Sequence, residues 1–202
     1  QQEIFNKIAK NELSTPYTWE TELSTLGQMK FETEKLKTVA VKAKWEELID
    51  SEKIGYMALM RNLRNIIEAN VSYEHINKAC GYLSDEKAVA NSKQLPFRFL
   101  AAYREVKVLN SDYTSMVLNA LEDAVLLSVK NLKGFDESTR VLIACDVSGS
   151  MQKPISLKSK VLLFDIGLVL GMLMQSKCKR VVTGMFGDKW KVINMPNRGD
   201  RK

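Results

Sequence analysis

The stretch from Val141 to Met151 constrains the fold of this chain most. It reads VLIACDVSGSM, an apolar run that ends at an acid followed by two spaced hydroxyls. A run without polar alternation predicts a strand covered on both faces, as in a parallel sheet flanked by helices. Ligands collect at the carboxyl ends of such strands, where Asp146 would lie, and Gly149 would let the loop fold back so that Ser148 and Ser150 point at the carboxylate. Oxygen ligands of this kind predict a site for Mg²⁺ or Mn²⁺.

The same residues have a simpler interpretation, in which Asp146 caps the next helix and the serines only fill a loop. The order of the following elements favours the metal site. An apolar segment over residues 157–176 predicts a helix, and residues 180–186 read as a second strand. Gly187-Asp188 then reads as a hairpin turn rather than as a catalytic acid.

This order of strand, metal loop, helix and strand resembles the opening of a von Willebrand factor A domain, which has an α/β, Rossmann-like fold. Asp146-x-Ser148-x-Ser150 resembles the metal-ion-dependent adhesion motif of that family. The resemblance implies that a threonine and an acid on later loops complete the metal shell. Neither has a place before Lys202. We therefore expect residues 136–202 to be the N-terminal part of such a domain, with weak binding of Mg²⁺ or Mn²⁺.

Residues 1–135 read as helices separated by short turns. Helical periodicity and end signals predict the segments 3–10, 17–26, 33–50, 53–69, 73–82, 84–91, 96–109 and 113–131. Stacked helix pairs of this kind favour a HEAT-like array, although the sequence shows no fixed period. The expected fold class is therefore mostly α, followed by an α/β part, with the boundary in the small and acidic stretch 134–139.

Charge is distributed unevenly along the chain, whose net charge is +6. Residues 1–135 carry 18 basic and 18 acidic side chains, whereas residues 136–202 carry 12 and 6. A nucleic-acid surface in the helical part must therefore come from local placement of charge. Three cysteines without a C-x-x-C pair and a single histidine argue against disulfides and zinc. With no apolar run of membrane length and no signal region, we expect a cytoplasmic protein that contacts no membrane.

Two of the predicted helices place arginines opposite an apolar stripe. The fourth turns Arg61 and Arg64 outward, and the seventh carries Arg98 and Arg104 outside its stripe. A planar guanidinium can make two parallel hydrogen bonds to a phosphate. Exposed arginines near glutamates are also typical of a solvated helix face. Periodicity alone leaves both interpretations open.

Residues 55–65, GYMALMRNLRN, and 95–104, LPFRFLAAYR, closely resemble the TROVE module. This module occurs in Ro 60 kDa autoantigen-like proteins and in telomerase- and vault-associated proteins, and in Ro proteins a von Willebrand A domain follows it. The resemblance covers about residues 15–195 and identifies residues 1–135 as the C-terminal part of the module. It implies a ring of HEAT-like helices that binds single-stranded 3′ ends of misfolded RNA in a basic hole and small structured Y RNAs on its outer surface.

The resemblance also implies site residues. The implied RNA contacts are Arg61, Asn62, Arg64, Arg98 and Arg104, and the implied metal ligands are Asp146, Ser148 and Ser150. The leading hypothesis is a non-enzymatic RNA scaffold of the Ro ribonucleoprotein type, which serves RNA quality control. A second hypothesis is a protein-interaction module, in which the metal keeps an open position for a carboxylate of a partner. A metal-dependent nuclease is disfavoured, because two-metal cleavage needs a cluster of carboxylates.

Overall fold

The computed structural model describes residues 2–12, 16–132, 134–157 and 159–193. The described helices are α1 (Gln2–Ala9), α2 (Trp19–Gln28), α3 (Glu34–Asp50), α4 (Tyr56–Glu68), α5 (Tyr73–Leu83), α6 (Glu86–Ser92), α7 (Pro96–Lys107), α8 (Thr114–Ser128) and α9 (Leu163–Gln175). The described strands are β1 (Arg140–Asp146), β2 (Arg180–Phe186) and β3 (Trp190–Val192). Of these helices, none is both long enough and apolar enough to cross a membrane.

The predicted helices of the N-terminal part correspond to α1–α8, with ends that differ by at most three residues. The apolar segment 157–176, by contrast, is helical only from Leu163 onward. Before that point the chain folds back on itself, because the Ile155 N–H donates to the Val161 carbonyl at 3.0 Å and the Leu163 N–H donates to the Lys153 carbonyl at 2.9 Å. Val161 contributes to the apolar pattern of this segment, but it is buried as part of the loop and not as part of a helix.

Side-chain caps set the starts of several helices. Thr18, Thr33, Ser72 and Asp85 each accept a hydrogen bond from a backbone N–H in the first turn of the helix that follows. Each bond satisfies a donor that the helix itself leaves free. α7 begins instead with Pro96 in its first turn, where the fixed φ of proline suits a helix. Because these signals are local in sequence, they predict helix starts well.

α4 lies in the middle of the helical core. It packs against α5, α6 and α7, and α8 packs against the same three helices. The buried apolar side chains of α4 are Tyr56, Leu59, Met60, Leu63, Ile66 and Ile67, the stripe that the sequence predicts. The hydroxyl of Tyr56 also donates a hydrogen bond to the Leu83 carbonyl at 2.7 Å inside this core. With this face buried, Arg61 and Arg64 are exposed on the other side.

The described strands form one sheet in the order β1-β2-β3, with β1 parallel to β2 and β2 antiparallel to β3. α9 covers one face so closely that a Cβ at Gly171 would lie 2.7 Å from the Cys145 sulfur, an approach that only glycine permits. On the other face Leu142 and Val182, which are register partners, are 67% and 49% exposed. The prediction that β1 is covered on both faces is therefore wrong within the described residues.

The helical part and the α/β part are in contact. A 3-10 turn over Val129–Asn131 follows α8, and β1 begins at Arg140, so the change of structure falls around the stretch 134–139. α9 packs against α7, which gives the two parts a shared interface. Residues 194–202 of the predicted second domain lie outside the described residues.

Candidate functional site

A concave groove lies between α4, α7 and the loop that precedes α9. Its cavity volume is about 540 Å³. Apolar side chains such as Met57, Met60 and Ala102 form part of its wall. The charged and amide side chains that line it are Arg61, Arg64, Asn65, Arg98, Glu105 and Lys160. Four cations against one carboxylate make this groove a basic concavity, which attracts anions.

The structure brings three of the predicted RNA contacts, Arg61, Arg64 and Arg98, to this groove. Arg64 is partly engaged, since its Nε donates to Glu68 Oε1 at 2.8 Å and its Nη1 lies 3.6 Å from Glu105 Oε2. The hydrogen bond to Glu68 raises the pKa of Arg64, a group that is already fully charged at neutral pH. Both ion pairs are solvent-accessible and therefore weak. Neither carboxylate is therefore held tightly at Arg64.

Asn62 is one of two predicted contacts that do not line the groove, the other being Arg104. The side chain of Asn62 is only 2% exposed, its Nδ2 donates to the Ala58 carbonyl at 2.9 Å, and its Oδ1 accepts from Asn65 Nδ2 at 2.9 Å. A direct RNA contact by Asn62 does not fit this burial. The signal was present in the sequence, because a helical position three residues after Leu59 and four before Ile66 lies on the apolar face.

Arg104, a predicted RNA contact, instead forms an ion pair with a carboxylate of the α/β part. Its Nη1 and Nη2 donate to the two carboxylate oxygens of Asp165 at 2.6 and 2.8 Å, and Nη1 also donates to the Lys160 carbonyl at 2.7 Å. This bidentate pair links α7 to the start of α9. Burial alone would raise the pKa of Asp165, but hydrogen bonds from Arg104 and the Leu162 N–H outweigh it and hold the pKa below its usual value. The fork of Arg104 therefore joins the two parts of the chain and is not free for a phosphate.

Lys160 and Asn65 complete the groove, and neither was among the predicted site residues. Lys160 comes from the α/β part, and its Nζ lies 3.2 Å from Glu105 Oε1. Only the fold brings Lys160 to α7, because the two partners are 55 residues apart in sequence and no periodic pattern connects them. Asn65 could have been found, since it follows Arg61 by one helical turn on the outward face.

The predicted metal ligands lie together at the carboxyl end of β1. The Ser148 N–H donates to Asp146 Oδ1 at 2.9 Å, and the Oγ atoms of Ser148 and Ser150 are 3.0 Å apart. Hydrogen bonds from the side chain and backbone of Ser148 lower the pKa of Asp146, so the carboxylate is charged at neutral pH. Asp146 does not cap α9, because that helix begins at Leu163 and the Asp146 carboxylate accepts from the backbone only two residues ahead.

The Ser148 and Ser150 hydroxyls are hydrogen-bonded to each other, at a separation that neighbouring ligands of a small octahedral cation would also have. Two ligands that each lie about 2.1 Å from Mg²⁺ at right angles are about 3 Å from one another, and the hydroxyls of Ser148 and Ser150 are 3.0 Å apart. Asp146 would supply the only charged ligand. Among the described residues there is no group of three or more His, Cys, Asp and Glu that could hold a metal.

Comparison with known proteins identifies the helical part. The TROVE domain model matches residues 9–118. This chain belongs to the TROVE domain family. The matched range includes α4 and α7, and thus the helices that carry Arg61, Arg64 and Arg98.

Two curated relatives match about half of this chain. Telomerase protein component 1 of Mus musculus and that of Rattus norvegicus are each 37% identical over 103 residues, which is 51% of this chain. The match covers 4% of the length of either relative, so this chain corresponds to a small part of those proteins.

The crystal structure of the Deinococcus radiodurans RO (RSR) protein shows the same fold at lower sequence similarity. The two structures superpose with a TM-score of 0.54 and 18% identity over 84% of this chain and 42% of that one. The fold likeness extends beyond the residues that match the TROVE model. A mostly helical chain followed by a small sheet is therefore consistent with the fold of a Ro protein.

Proposed function

We propose that this TROVE chain is a non-enzymatic RNA-binding scaffold, and that the groove between α4 and α7 holds the phosphates of a single-stranded segment. One observation carries the proposal: Arg61, Arg64 and Arg98 come from two helices and converge with Lys160 on one concavity. Guanidinium groups bind phosphate oxygens through charge-assisted, bidentate hydrogen bonds. Proteins that bind single strands commonly use such a basic groove to follow the backbone.

The shape of the site favours a single strand over a duplex. Double-stranded RNA is recognised mainly across its wide minor groove by surfaces that span many base pairs. The cations here line a recess of about 540 Å³ whose wall includes Met57 and Ala102. Such a recess admits an unpaired segment, whose bases can lie against the apolar wall.

The likeness to the TROVE family supports a finer proposal. The RNA ligands would be single-stranded 3′ ends of misfolded RNA and small structured RNAs of the Y type, and the role would be RNA quality control in the cytoplasm. The telomerase protein component 1 relatives and the Ro protein neighbour support this choice of ligand class. A ribonucleoprotein scaffold of this kind needs no catalytic group.

The decisive experiment removes one groove arginine at a time. Arg64→Ala and Arg98→Ala should each weaken binding to a single-stranded RNA by about three- to tenfold, and each should reduce the salt slope by about 0.7. Arg140→Ala is the matched control, because it removes the same charge from an exposed position outside the groove. If all three variants lost the same amount of RNA affinity, the loss would be explained by net charge, and a specific site would be contradicted.

We also propose that residues 136–202 form part of a von Willebrand factor A domain that holds Mg²⁺ or Mn²⁺. The parallel pair β1–β2 joined through α9 supports this, as does the convergence of Asp146, Ser148 and Ser150. When bound, the cation would offer open coordination positions to a carboxylate of a partner protein. The site would thus add a metal-dependent protein contact to the RNA scaffold.

Metal binding can be tested without a partner. Calorimetric titration with Mn²⁺ should give a weak binding isotherm that Asp146→Asn abolishes. Asp136→Asn is the matched control, since Asp136 also accepts hydrogen bonds from the next residues, Ser138 and Thr139, but was not predicted as a ligand. An isotherm that survives in the Asp146 variant would place the metal elsewhere.

A further inference from the structure

Among the residues that the structure describes, Glu105 is the one carboxylate that lines the basic groove. Its Oε1 lies 3.2 Å from Lys160 Nζ, and its Oε2 lies 3.6 Å from Arg64 Nη1. The carboxylate therefore bridges a cation of the TROVE helix α4 and a cation of the α/β part. A bridging position between two cations is also the position that a phosphate group would take in this groove.

Lys160 is held at the groove by the contact between the two parts. Arg104 Nη1 donates to the Lys160 carbonyl at 2.7 Å and to Asp165 Oδ2 at 2.6 Å. The Leu162 N–H donates to the same Asp165 oxygen at 2.8 Å, which fixes the backbone just after Lys160. Arg104 is thus a positioning residue, because it orders the segment that presents the lysine.

We propose that Lys160 is a phosphate-binding residue contributed by the α/β part, and that Glu105 is an internal competitor which the RNA phosphate must displace. The inference rests on the proposed function of the groove. Glu105 is 37% exposed and Lys160 52% exposed, so their ion pair is weak and exchangeable. RNA in the groove then contacts both parts of the chain at once, and Glu105 sets its affinity.

Opposite effects are expected from two substitutions on either side of the same ion pair. Glu105→Gln keeps the shape of the side chain but removes its charge, so binding of a single-stranded oligonucleotide should tighten about three- to tenfold and its salt dependence should steepen. Lys160→Ala should weaken binding by a similar factor. In the Lys160→Ala background, Glu105→Gln should give a smaller gain, because one of its two cationic partners is gone.

Matched controls separate these effects from net charge. Glu86→Gln removes an acid that also pairs with a lysine, Lys130 at 2.9 Å, but neither of these residues lines the groove. Lys107→Ala removes an exposed lysine of α7 that also lies outside the groove lining. Both controls should leave the RNA affinity within about twofold of the unmodified chain, and circular dichroism should show an unchanged helical fold in every variant.

The outcomes distinguish this inference from the proposal on which it rests. Both proposals are supported if Arg64→Ala weakens RNA binding, Glu105→Gln tightens it and Lys160→Ala weakens it. In a second outcome, Arg64→Ala weakens RNA binding, but Glu105→Gln and Lys160→Ala change the affinity no more than their controls do. That result overturns this inference and leaves the proposed function intact. No RNA binding by the unmodified chain overturns the proposed function.

Discussion

Replacing Arg104 with alanine should loosen the contact between the helical part and the α/β part. The substitution removes two hydrogen bonds to the Asp165 carboxylate and one to the Lys160 carbonyl, and it leaves a carboxylate that is only 9% exposed without its counterion. Stranding a fully buried charge costs about 3–5 kcal/mol. Arg104 itself is 33% exposed, so solvent screening lowers the expected loss to about 2–3 kcal/mol.

Tryptophan fluorescence during urea unfolding can measure this loss, because the two parts carry different tryptophans. Trp19 and Trp45 stack on each other in the helical part, whereas Trp190 lies on β3. With Trp19 and Trp45 replaced by phenylalanine in the reference protein, Trp190 reports the α/β part alone. At pH 7, Arg104→Ala should move its transition to lower urea, and Arg104→Lys should move it less, because lysine keeps the charge but lacks the fork.

The pH dependence gives a second check on the same ion pair. The pKa of Asp165 is depressed in the folded chain from its usual value of 3.8. Its contribution to stability is therefore present above that value and is lost as the pH falls through the folded-state pKa. The difference between the unmodified chain and Arg104→Ala should be constant near neutral pH and shrink below about pH 4. An Arg104→Ala transition that coincides with that of Arg98→Ala at pH 7 would refute the reasoning.

Two further predictions concern the helical core. Tyr56→Phe removes the buried hydrogen bond to the Leu83 carbonyl and should cost about 1–2 kcal/mol in urea unfolding; an unchanged midpoint would mean that water replaces the hydroxyl. Burial raises the pKa of the Cys80 thiol to about 11, so iodoacetamide at pH 8 should alkylate the more accessible Cys178 first, as peptide mass spectrometry can show. Equal labelling of both cysteines in the native state would contradict the burial of Cys80.

Local signals predicted the helices well. Apolar periodicity in α4 identifies the buried face from Tyr56 to Ile67, and capping residues such as Ser72 mark helix starts. The same periodicity also contains the information that places Asn62 inside. The RNA contact of Asn62 is implied by the family resemblance alone, and the burial of its side chain does not fit that role.

Contacts between residues that lie far apart in the sequence could not be predicted from sequence patterns. Arg104 and Asp165 are 61 residues apart, so nothing near Arg104 in sequence distinguishes an arginine that joins two parts from one that binds a ligand. The same holds for Lys160, which reaches the groove only because its loop folds back before α9. Helical periodicity reports which face of a helix is apolar, but it does not report which charged partner lies opposite the other face.

We propose above that the groove between α4 and α7 binds single-stranded RNA through its phosphates. The most direct test compares the affinity of the unmodified chain for a structured RNA with a free 3′ tail and for the same RNA with its tail paired, each at two salt concentrations. Binding to the free tail should be tighter, and its affinity should fall steeply as salt rises. Equal affinity for the two RNAs, or an affinity that salt does not change, would contradict the proposal.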